Sequence, residues 1–211
     1  MRWNSTALSG ICLVLAACGG GSGSTSEPAA TLAITIPTSP IPSGTSVQAS
    51  ATITNSSGSS PASNVTWSTS DATTASISTD GLITGKLAGV ARITATSGTI
   101  TGFLNVTVVP GEPAKVVIYT GDGQSAQRGS TLADPLCTNV LDAAGNKILG
   151  VTVTYSVATG GGRLGNPTAP QTNPSGIAIS GLWTLGASPG AQTVVASAAG
   201  ATSVTFTATA Q

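Results

Sequence analysis

Hydrophobic and polar residues alternate in short runs from residue 31 to the C-terminus. In the first run, Leu32, Ile34 and Ile36 alternate with small or hydroxyl-bearing residues. A two-residue period places successive side chains on opposite faces of a β-strand. Similar runs recur at intervals of roughly ten residues, separated by turn sequences such as Asp80-Gly81. No stretch shows the 3.6-residue period of an amphipathic helix. The pattern therefore predicts an all-β protein.

The alternation is interrupted once by Pro110-Gly111-Glu112-Pro113. About seven short strands are predicted before this segment, which is typical of a β-sandwich. A clear two-residue period resumes after it and is most regular in Val151, Val153, Tyr155 and Val157. Two prolines make a short, stiff boundary. We therefore expect domains at 31–109 and 114–211 that stand in line, with 110–113 as the linker.

Spaced sequence blocks in the first half resemble the group-two bacterial immunoglobulin-like domain over about residues 31 to 109. The blocks are Val65-Thr66-Trp67-Ser68-Thr69-Ser70-Asp71, Ala75-Ser76-Ile77-Ser78, Gly81-Leu82-Ile83-Thr84-Gly85, Ala88-Gly89 and Ile93-Thr94-Ala95-Thr96. The resemblance implies an all-β extracytoplasmic module.

The second half, from about residue 114, resembles the group-one bacterial immunoglobulin-like domain found in the repeats of invasin and intimin. The blocks include Val140-Leu141-Asp142-Ala143-Ala144-Gly145-Asn146, Gly150-Val151-Thr152-Val153-Thr154-Tyr155, Gly160-Gly161-Gly162 and Trp183-Thr184-Leu185-Gly186. Together the resemblances imply two tandem immunoglobulin-like β-sandwiches. In adhesins with such repeats the modules act largely as a stalk, so the resemblance implies the fold more directly than an adhesive function.

The N-terminus resembles a bacterial lipoprotein signal. The stretch Leu15-Ala16-Ala17-Cys18 looks like a lipobox, and the apolar run before it starts only at Ala7. That run is well short of the roughly 20 residues that span a bilayer as a helix. We expect a cleaved signal peptide at 1–17, lipidation of Cys18, and a flexible Gly/Ser-rich tether at 18–30. Because Gly19 replaces the Asp typical of inner-membrane retention, the resemblance points to an outer-membrane lipoprotein, periplasmic or surface-exposed.

The charge content excludes several classes of function. Charged residues make up 7% of the 211-residue chain, and Arg2 lies in the predicted signal, which leaves six basic against seven acidic residues. This gives no electrostatic footprint for nucleic acid or anionic lipid. The chain has no His, so neither a Ser-His-Asp triad nor a common zinc site can form. We expect no enzyme activity and no cofactor.

Five carboxylates are the candidates for an acid–base pair or an ion site. All lie in turn-like contexts, where Asp caps the backbone: Asp71, Asp80, Asp122, Asp134 and Asp142. The segment from Asp142 to Asn146 offers oxygen ligands for calcium but lacks the Asp-x-Asp-x-Asp-Gly spacing, so a hairpin turn is favoured. The loop from Gly160 to Gly165 lacks the Lys-Ser or Lys-Thr of a phosphate cradle. We predict no metal site.

The remaining candidates are Cys137 and the aromatic residues. Cys12 leaves with the signal and Cys18 carries lipid, so Cys137 has no intrachain partner and is predicted to be an inert strand residue. Trp67 shares a face with Val65, and Trp183 with Ile177 and Ile179, so both indoles are predicted to lie in the core. Tyr119 is out of step with its strand neighbours, and its facing is ambiguous.

The sequence thus favours a non-enzymatic, lipid-anchored envelope protein that serves in surface adhesion or as a structural spacer. We expect a monomer, attached to a membrane through its lipid, with a protein or glycan ligand at the cell surface and no nucleic acid. The alternative is a carbohydrate-binding or cell-wall-associated module. That alternative requires an exposed aromatic or Asp/Asn cluster on one sheet, and a fully shielded Trp183 argues against it. An enzyme has the least support.

Overall fold

The computed structural model describes residues 30–211, and every element in that range is a β-strand. None of these residues forms a helix that could span a membrane. The predicted signal peptide, Cys18 and all of the tether except residue 30 lie outside the described residues. The all-β prediction is confirmed.

The first half contains ten strands. They are β1 (Thr31–Thr35), β2 (Ile41–Pro42), β3 (Ser46–Gln48), β4 (Ser50–Asn55), β5 (Gly58–Pro61), β6 (Thr66–Thr69), β7 (Ala75–Ile77), β8 (Leu82–Gly85), β9 (Gly89–Ser97) and β10 (Ile100–Val109). They form the sheets β1-β4-β5, β2-β10-β9-β6 and β3-β8-β7.

The second half contains nine strands. They are β11 (Lys115–Thr120), β12 (Gln124–Ala126), β13 (Cys137–Leu141), β14 (Thr154–Thr159), β15 (Arg163–Leu164), β16 (Ile177–Ile179), β17 (Trp183–Thr184), β18 (Gly190–Ser197) and β19 (Val204–Ala210). They form the sheets β11-β13-β16, β12-β19-β18-β14 and β15-β17.

Each half has a four-stranded sheet of the same design. The final strand, β10 or β19, pairs antiparallel with the strand before it and parallel with a short early strand, β2 or β12. A fourth strand, β6 or β14, completes the sheet on the far side of β9 or β18. This mixed pairing at the end of a sandwich is compatible with immunoglobulin-like topology in both halves.

The core of the first half follows the two-residue period. Ile93 of β9 and Val106 of β10 are fully buried, and the residues next to them in each strand face outward. Ile41, Ile83 and Val108 close the same cluster, and Trp67 is partly buried against it. Since apolar burial is the main stabilising term, the alternation holds this half together.

The second half has its own cluster, which shares no residue with the first. Trp183 and Phe206 are fully buried at its centre, and Tyr155 packs against Phe206 with ring centroids 6.2 Å apart. The predicted boundary at 110–113 lies between the two clusters. The exact domain limits stay a prediction.

One detail of the predicted core is wrong. Trp183 is buried as expected, but Ile177 and Ile179 do not share its face: Ile179 is 46% exposed, while Ala178 between them points inward and is fully buried. The alternation changes phase between β16 and β17, where Gly181 lies directly against the backbone of Gly165. A side chain at residue 181 would collide there, so the chain bends and the period is reset.

A buried hydroxyl pair links strands of the two facing sheets in the second half. The Tyr155 hydroxyl lies 2.8 Å from Thr138 Oγ1 and donates to the carbonyl oxygen of Ala178 at 2.9 Å. Burial, opposed in part by the Thr138 contact, raises the pKa of Tyr155 to about 12. The neutral phenol is therefore the form that the folded state stabilises.

We predict that Tyr155→Phe lowers the free energy of unfolding by about 1–3 kcal/mol, because Thr138 and Ala178 lose a buried partner. Urea unfolding at neutral pH measures this. Tyr119→Phe is the matched control, since Tyr119 is 53% exposed, and should change stability by less than about 0.5 kcal/mol.

The same pair predicts a pH effect. The pKa of Tyr155 is higher in the folded state, about 12, than in the unfolded chain, about 10. The neutral phenol therefore contributes stability below pH 10, and this contribution is lost as the pH rises from 10 toward 12. The wild type should lose more stability than Tyr155→Phe over this range. Parallel losses in the two proteins would contradict the assignment.

Candidate functional site

The best-connected polar cluster lies where the two halves meet. Asp142, only 2% exposed, follows β13 and accepts four hydrogen bonds. Its Oδ1 accepts from the backbone N–H groups of Ala144 (2.9 Å) and Asn146 (2.8 Å). Its Oδ2 accepts from the Asn146 side-chain amide (2.8 Å) and from the N–H of Gly111 in the linker (2.9 Å). One carboxylate thus closes a turn and binds the linker.

Asn146 carries the contact into the first half. Its Oδ1 accepts from the N–H of Ala88 at 2.8 Å, and its Nδ2 donates to the carbonyl oxygen of Lys86 at 3.0 Å. Asn146 is 8% exposed. Because buried polar groups with complete hydrogen bonding fix one arrangement, this turn sets how the halves meet. We call the turn from Asp142 to Asn146 the junction turn.

Two opposing effects act on the Asp142 carboxyl group. Burial alone raises its pKa, but the hydrogen bonds from Gly111, Asn146 and Ala144 outweigh burial and hold the pKa below its usual value. Asp142 is therefore ionised at neutral pH, with its oxygens occupied by N–H donors. This geometry suits a turn, as the sequence predicted, and leaves the carboxylate poorly placed for calcium, which binds oxygen atoms.

A groove of about 910 Å³ runs along the junction. Its lining includes Ser43, Lys86 and Glu112 beside the junction turn. Lys86 Nζ donates to the Ala72 carbonyl oxygen at 3.1 Å, so the lysine has a structural partner. No group of three or more His, Cys, Asp or Glu residues that could hold a metal ion occurs between residues 30 and 211.

Two of the other carboxylates, Asp71 and Asp122, accept hydrogen bonds from threonine residues. Asp71 Oδ1 accepts from the Thr73 N–H at 2.8 Å, and its Oδ2 accepts from the Thr74 hydroxyl at 2.8 Å. The Thr73 and Thr74 hydroxyl contacts lower the pKa of Asp71 to about 2. Asp122 accepts from the Thr207 N–H at 2.7 Å. Asp71 and Asp122 thus each bind a backbone N–H and a threonine hydroxyl.

The loop from Gly160 to Gly165 also has a structural role. Gly160 lies against the side chain of Gln192, which is 1% exposed. Gln192 Oε1 accepts from the Gly186 N–H, and its Nε2 donates to the Ser188 carbonyl oxygen, both at 2.8 Å. The glycine run lets the loop approach this buried amide closely.

The aromatic and thiol candidates from the sequence all lie in strands. Trp183 is fully buried and Trp67 partly buried, while Tyr119 points outward and is 53% exposed. Cys137 lies in β13, is 8% exposed, and its Sγ is 3.9 Å from the Pro135 carbonyl oxygen. Cys137 is thus a shielded strand residue, as predicted.

The sequence reasoning missed an exposed aromatic on the first half. Phe103 of β10 is 60% exposed, and the guanidinium carbon of Arg92 lies 3.7 Å from its ring centroid. The aromatic candidates from the sequence were Trp67, Trp183 and Tyr119 and did not include Phe103. Val106 and Val108 mark the inward phase of β10. The alternation itself was the available signal, because odd positions of β10 must then face outward.

Comparisons with known proteins agree with this architecture. The fold defines an immunoglobulin-like β-sandwich, and residues 30–109 match the family model described as bacterial Ig-like domain (group 2). This match confirms the group-two resemblance of the first half. The group-one resemblance of 114–211 stays a prediction. No curated protein matches the chain.

Among solved structures, the chain is similar to FdeC, a broadly conserved Escherichia coli adhesin. The identity is 18% and the TM-score 0.52, over 84% of this chain and 63% of that one, so the chain spans less than two thirds of that structure. It is also similar to the D00-D0 domain of intimin (20% identity, 83% and 98% covered, TM-score 0.45). A third similar structure is the Yersinia pseudotuberculosis adhesin InvE, with 14% identity and a TM-score of 0.39 over 86% of this chain and 58% of that one. At these identities the likeness to FdeC establishes the fold alone.

We predict that Asn146→Ala loosens the junction, because the variant removes the side-chain bonds to Ala88, Lys86 and Asp142 Oδ2. It keeps the bond from the backbone N–H of residue 146 to Asp142 Oδ1. The free energy of unfolding should fall by about 1–3 kcal/mol, and small-angle X-ray scattering should show a broader range of arrangements of the halves. Asp134→Ala is the control, since that exposed carboxylate makes no hydrogen bond within residues 30–211. Identical scattering from both variants would contradict the assignment.

Proposed function

We propose that this chain is a non-enzymatic cell-envelope protein that acts in surface adhesion or as a structural spacer, anchored through lipid on Cys18. The observation that carries the proposal is the combination of a group-two bacterial Ig-like match with a sandwich fold like that of a bacterial adhesin. The sequence adds the lipobox-like stretch that ends at Cys18.

The junction supports a role as a spacer. A two-domain spacer keeps its two ends at a fixed distance only if its domains do not swing freely about the linker. Here the linker is bounded by Pro110 and Pro113, and the junction turn hydrogen-bonds both the linker and the first half. We propose 31–109 and 114–211 as two domains held in one arrangement by this turn.

The placement of polar groups supports a non-enzymatic role. Asp71 and Asp142 accept hydrogen bonds within their own turns, and Asp122 accepts one from the backbone N–H of Thr207. A general acid or base needs a free position near a reacting atom. In the junction groove, the Lys86 ammonium group already donates to the Ala72 carbonyl oxygen.

The anchoring proposal rests on the sequence alone. We propose cleavage before Cys18, acylation of its thiol, and a Gly/Ser-rich tether that spaces the first sandwich from the membrane. Several acyl chains on one residue make attachment stable where one chain is marginal. Gly19 favours the outer membrane, with the protein either surface-exposed or periplasmic.

We predict that Cys18→Ser releases the protein from the membrane fraction, whereas Cys12→Ser, the matched control in the signal segment, leaves it attached. Immunoblots of fractionated cells measure this. Protease treatment of intact cells then separates a surface-exposed protein, which is degraded, from a periplasmic one. A Cys18→Ser protein that still sediments with membranes would contradict the anchor. Absence of retention on matrix proteins, glycans and host cells would contradict adhesion.

A second candidate function is glycan binding at the outward face of the sheet β2-β10-β9-β6. Trp183 is fully buried and takes no part in it, which removes the form of this alternative that uses that indole. The exposed Phe103 ring lies under Arg92, and Asn105 pairs with Arg92 in register. An exposed ring beside amide and guanidinium donors suits stacking against a sugar with hydrogen bonds at its rim.

For this second candidate we predict that Phe103→Ala abolishes retention on immobilised glycans. Val90→Ala is the matched control, because Val90 is 61% exposed and removing its apolar contact should leave sugar stacking intact. Affinity electrophoresis in polysaccharide gels measures retention. Equal mobility of the wild type and Phe103→Ala in every polysaccharide would rule out this candidate.

A further inference from the structure

A single carboxylate lies at the centre of the hydrogen bonds that join the two halves. Asp142 Oδ1 accepts from the backbone N–H groups of Ala144 and Asn146, and Oδ2 accepts from the Asn146 side-chain amide and the N–H of Gly111. A carboxylate offers about four acceptor positions, and here each oxygen has two N–H donors. All the donors belong to uncharged residues. A proton can therefore enter only where one of these bonds breaks.

The bond from the linker depends on a glycine. A Cβ atom at Gly111 would lie 2.6 Å from the carbonyl oxygen of Ser43 in the first half, and 3.6 Å from Asp142 Oδ2 in the second half. A carbon atom 2.6 Å from an oxygen is a steric overlap, so a larger residue would have to shift. The missing side chain thus lets the linker pass between Ser43 and Asp142 while its N–H reaches the carboxylate.

The Asn146 amide depends on the same carboxylate. Its Nδ2 donates both to Asp142 Oδ2 at 2.8 Å and to the Lys86 carbonyl oxygen at 3.0 Å, while its Oδ1 accepts from the Ala88 N–H at 2.8 Å. The bond to Oδ2 holds the amide in the orientation that reaches the first half. The bonds from Asn146 to Lys86 and Ala88 therefore rely on Oδ2 as an acceptor.

Packing between strands adds little to this contact. The two core clusters share no residue, and within residues 30–211 every closely packed pair of strands lies inside one half. Domains joined without a large apolar interface move relative to each other unless other bonds hold them. The arrangement of the halves therefore relies on the linker and the junction turn.

We propose that the junction turn is an acid-sensitive hinge, in which the ionised Asp142 carboxylate holds the halves in one arrangement and its protonation releases them while each half stays folded. The step is the reversible uptake of one proton from solvent. The protonated oxygen becomes a hydroxyl, which donates where it previously accepted. At Oδ2 this hydroxyl would face the Gly111 N–H and the Asn146 amide; at Oδ1 it would face the N–H groups of Ala144 and Asn146. Either site leaves buried donors without their acceptor, which is costly.

The direction of the pH effect follows from the same bonds. Burial raises the pKa of Asp142, but the hydrogen bonds from Gly111, Asn146 and Ala144 hold it below its usual value of 3.8. When the halves separate, these bonds are lost and the pKa returns toward that value. The joined arrangement has the lower pKa, so it is favoured at neutral pH and loses this advantage as the pH falls below 3.8.

Four other charged groups lie on the elements around Asp142. Lys86 of the first half and Glu112 of the linker line the same groove, and Lys115 and Lys147 flank the end of β13. A lysine side chain keeps its charge in acid, so the three lysines do not take up a proton in this range. Glu112 is a carboxylate, and its protonation must be separated from that of Asp142.

The test uses the full chain carrying Cys18→Ser, which carries no lipid and needs no detergent. Small-angle X-ray scattering should show one arrangement of the halves at pH 7 and a broader range at about pH 3, and the change should reverse on neutralisation. The NMR amide signals of Gly111 and Ala88 should shift in the same transition. Near-ultraviolet circular dichroism, which reports the packing of Trp67 and Trp183, should stay constant and so verify that both halves remain folded.

Three variants assign the transition to Asp142. Asp142→Asn imitates the protonated carboxyl group, because its amide nitrogen donates in place of one oxygen; at pH 7 it should scatter like the wild type at about pH 3 and change no further in acid. Glu112→Gln is the matched control in the same groove and should keep the wild-type transition. Asn146→Ala removes the bonds to the first half but retains the Asp142 carboxylate. It should scatter like the acidified wild type at both pH values, and it serves as the test if Asp142→Asn does not fold.

The hinge rests on the proposed spacer, in which this turn holds two domains in one arrangement, and the experiment separates the two claims. A wild type with one arrangement at both pH values would overturn the hinge and leave the spacer intact. A wild type already variable at pH 7 would overturn both. The hinge is also contradicted by a folded Asp142→Asn or Asn146→Ala protein that keeps one arrangement at pH 7, or by loss of the transition in Glu112→Gln.

Discussion

The structure depends on the two-residue period of its strands. The chain has no helix in residues 30–211 and no disulfide there, so each half is held by apolar side chains from one phase of each strand. The other phase is free to face outward. In β10, Val106 and Val108 build the core while Phe103 and Asn105 form an outer surface. The candidate glycan-binding surface around Phe103 is therefore the reverse side of a core strand.

This constraint explains how much the sequence could predict. Strand alternation identified the all-β class and the run Val151, Val153, Tyr155 and Val157, whose side chains lie in the second core cluster or pack against it, because the period there is uninterrupted. It failed at Ile177 and Ile179, because the phase changes before Trp183, where Gly181 packs against the backbone of Gly165. That contact joins distant parts of the chain, and no local pattern reports it. Tyr119 was ambiguous because β11 is irregular between Ile118 and Thr120.

Among the candidate functional residues, those that depend on local turn chemistry were predictable, and those that depend on long-range contacts were not. The turn from Asp142 to Asn146 was predictable, since Asp and Gly at such spacing favour a reversal. Its bonds to Lys86 and Ala88 were not, because they are separated from Asn146 by 60 and 58 residues. Asn139 gave no sequence signal at all. Its buried Oδ1, which has no hydrogen-bond partner, is apparent only when the neighbouring strands are in register around it.

The parallel pairing of β2 with β10, and of β12 with β19, bears on how the protein carries tension. In each half an early strand and the final strand run in the same direction side by side. When the two ends of such a pair are pulled apart, the strands slide lengthwise, and their hydrogen bonds are strained together. An antiparallel hairpin pulled from its open end would instead separate one bond at a time. Each half thus ends in a parallel strand pair whose hydrogen bonds lie across the strands, so lengthwise extension of the pair must strain several of them at once.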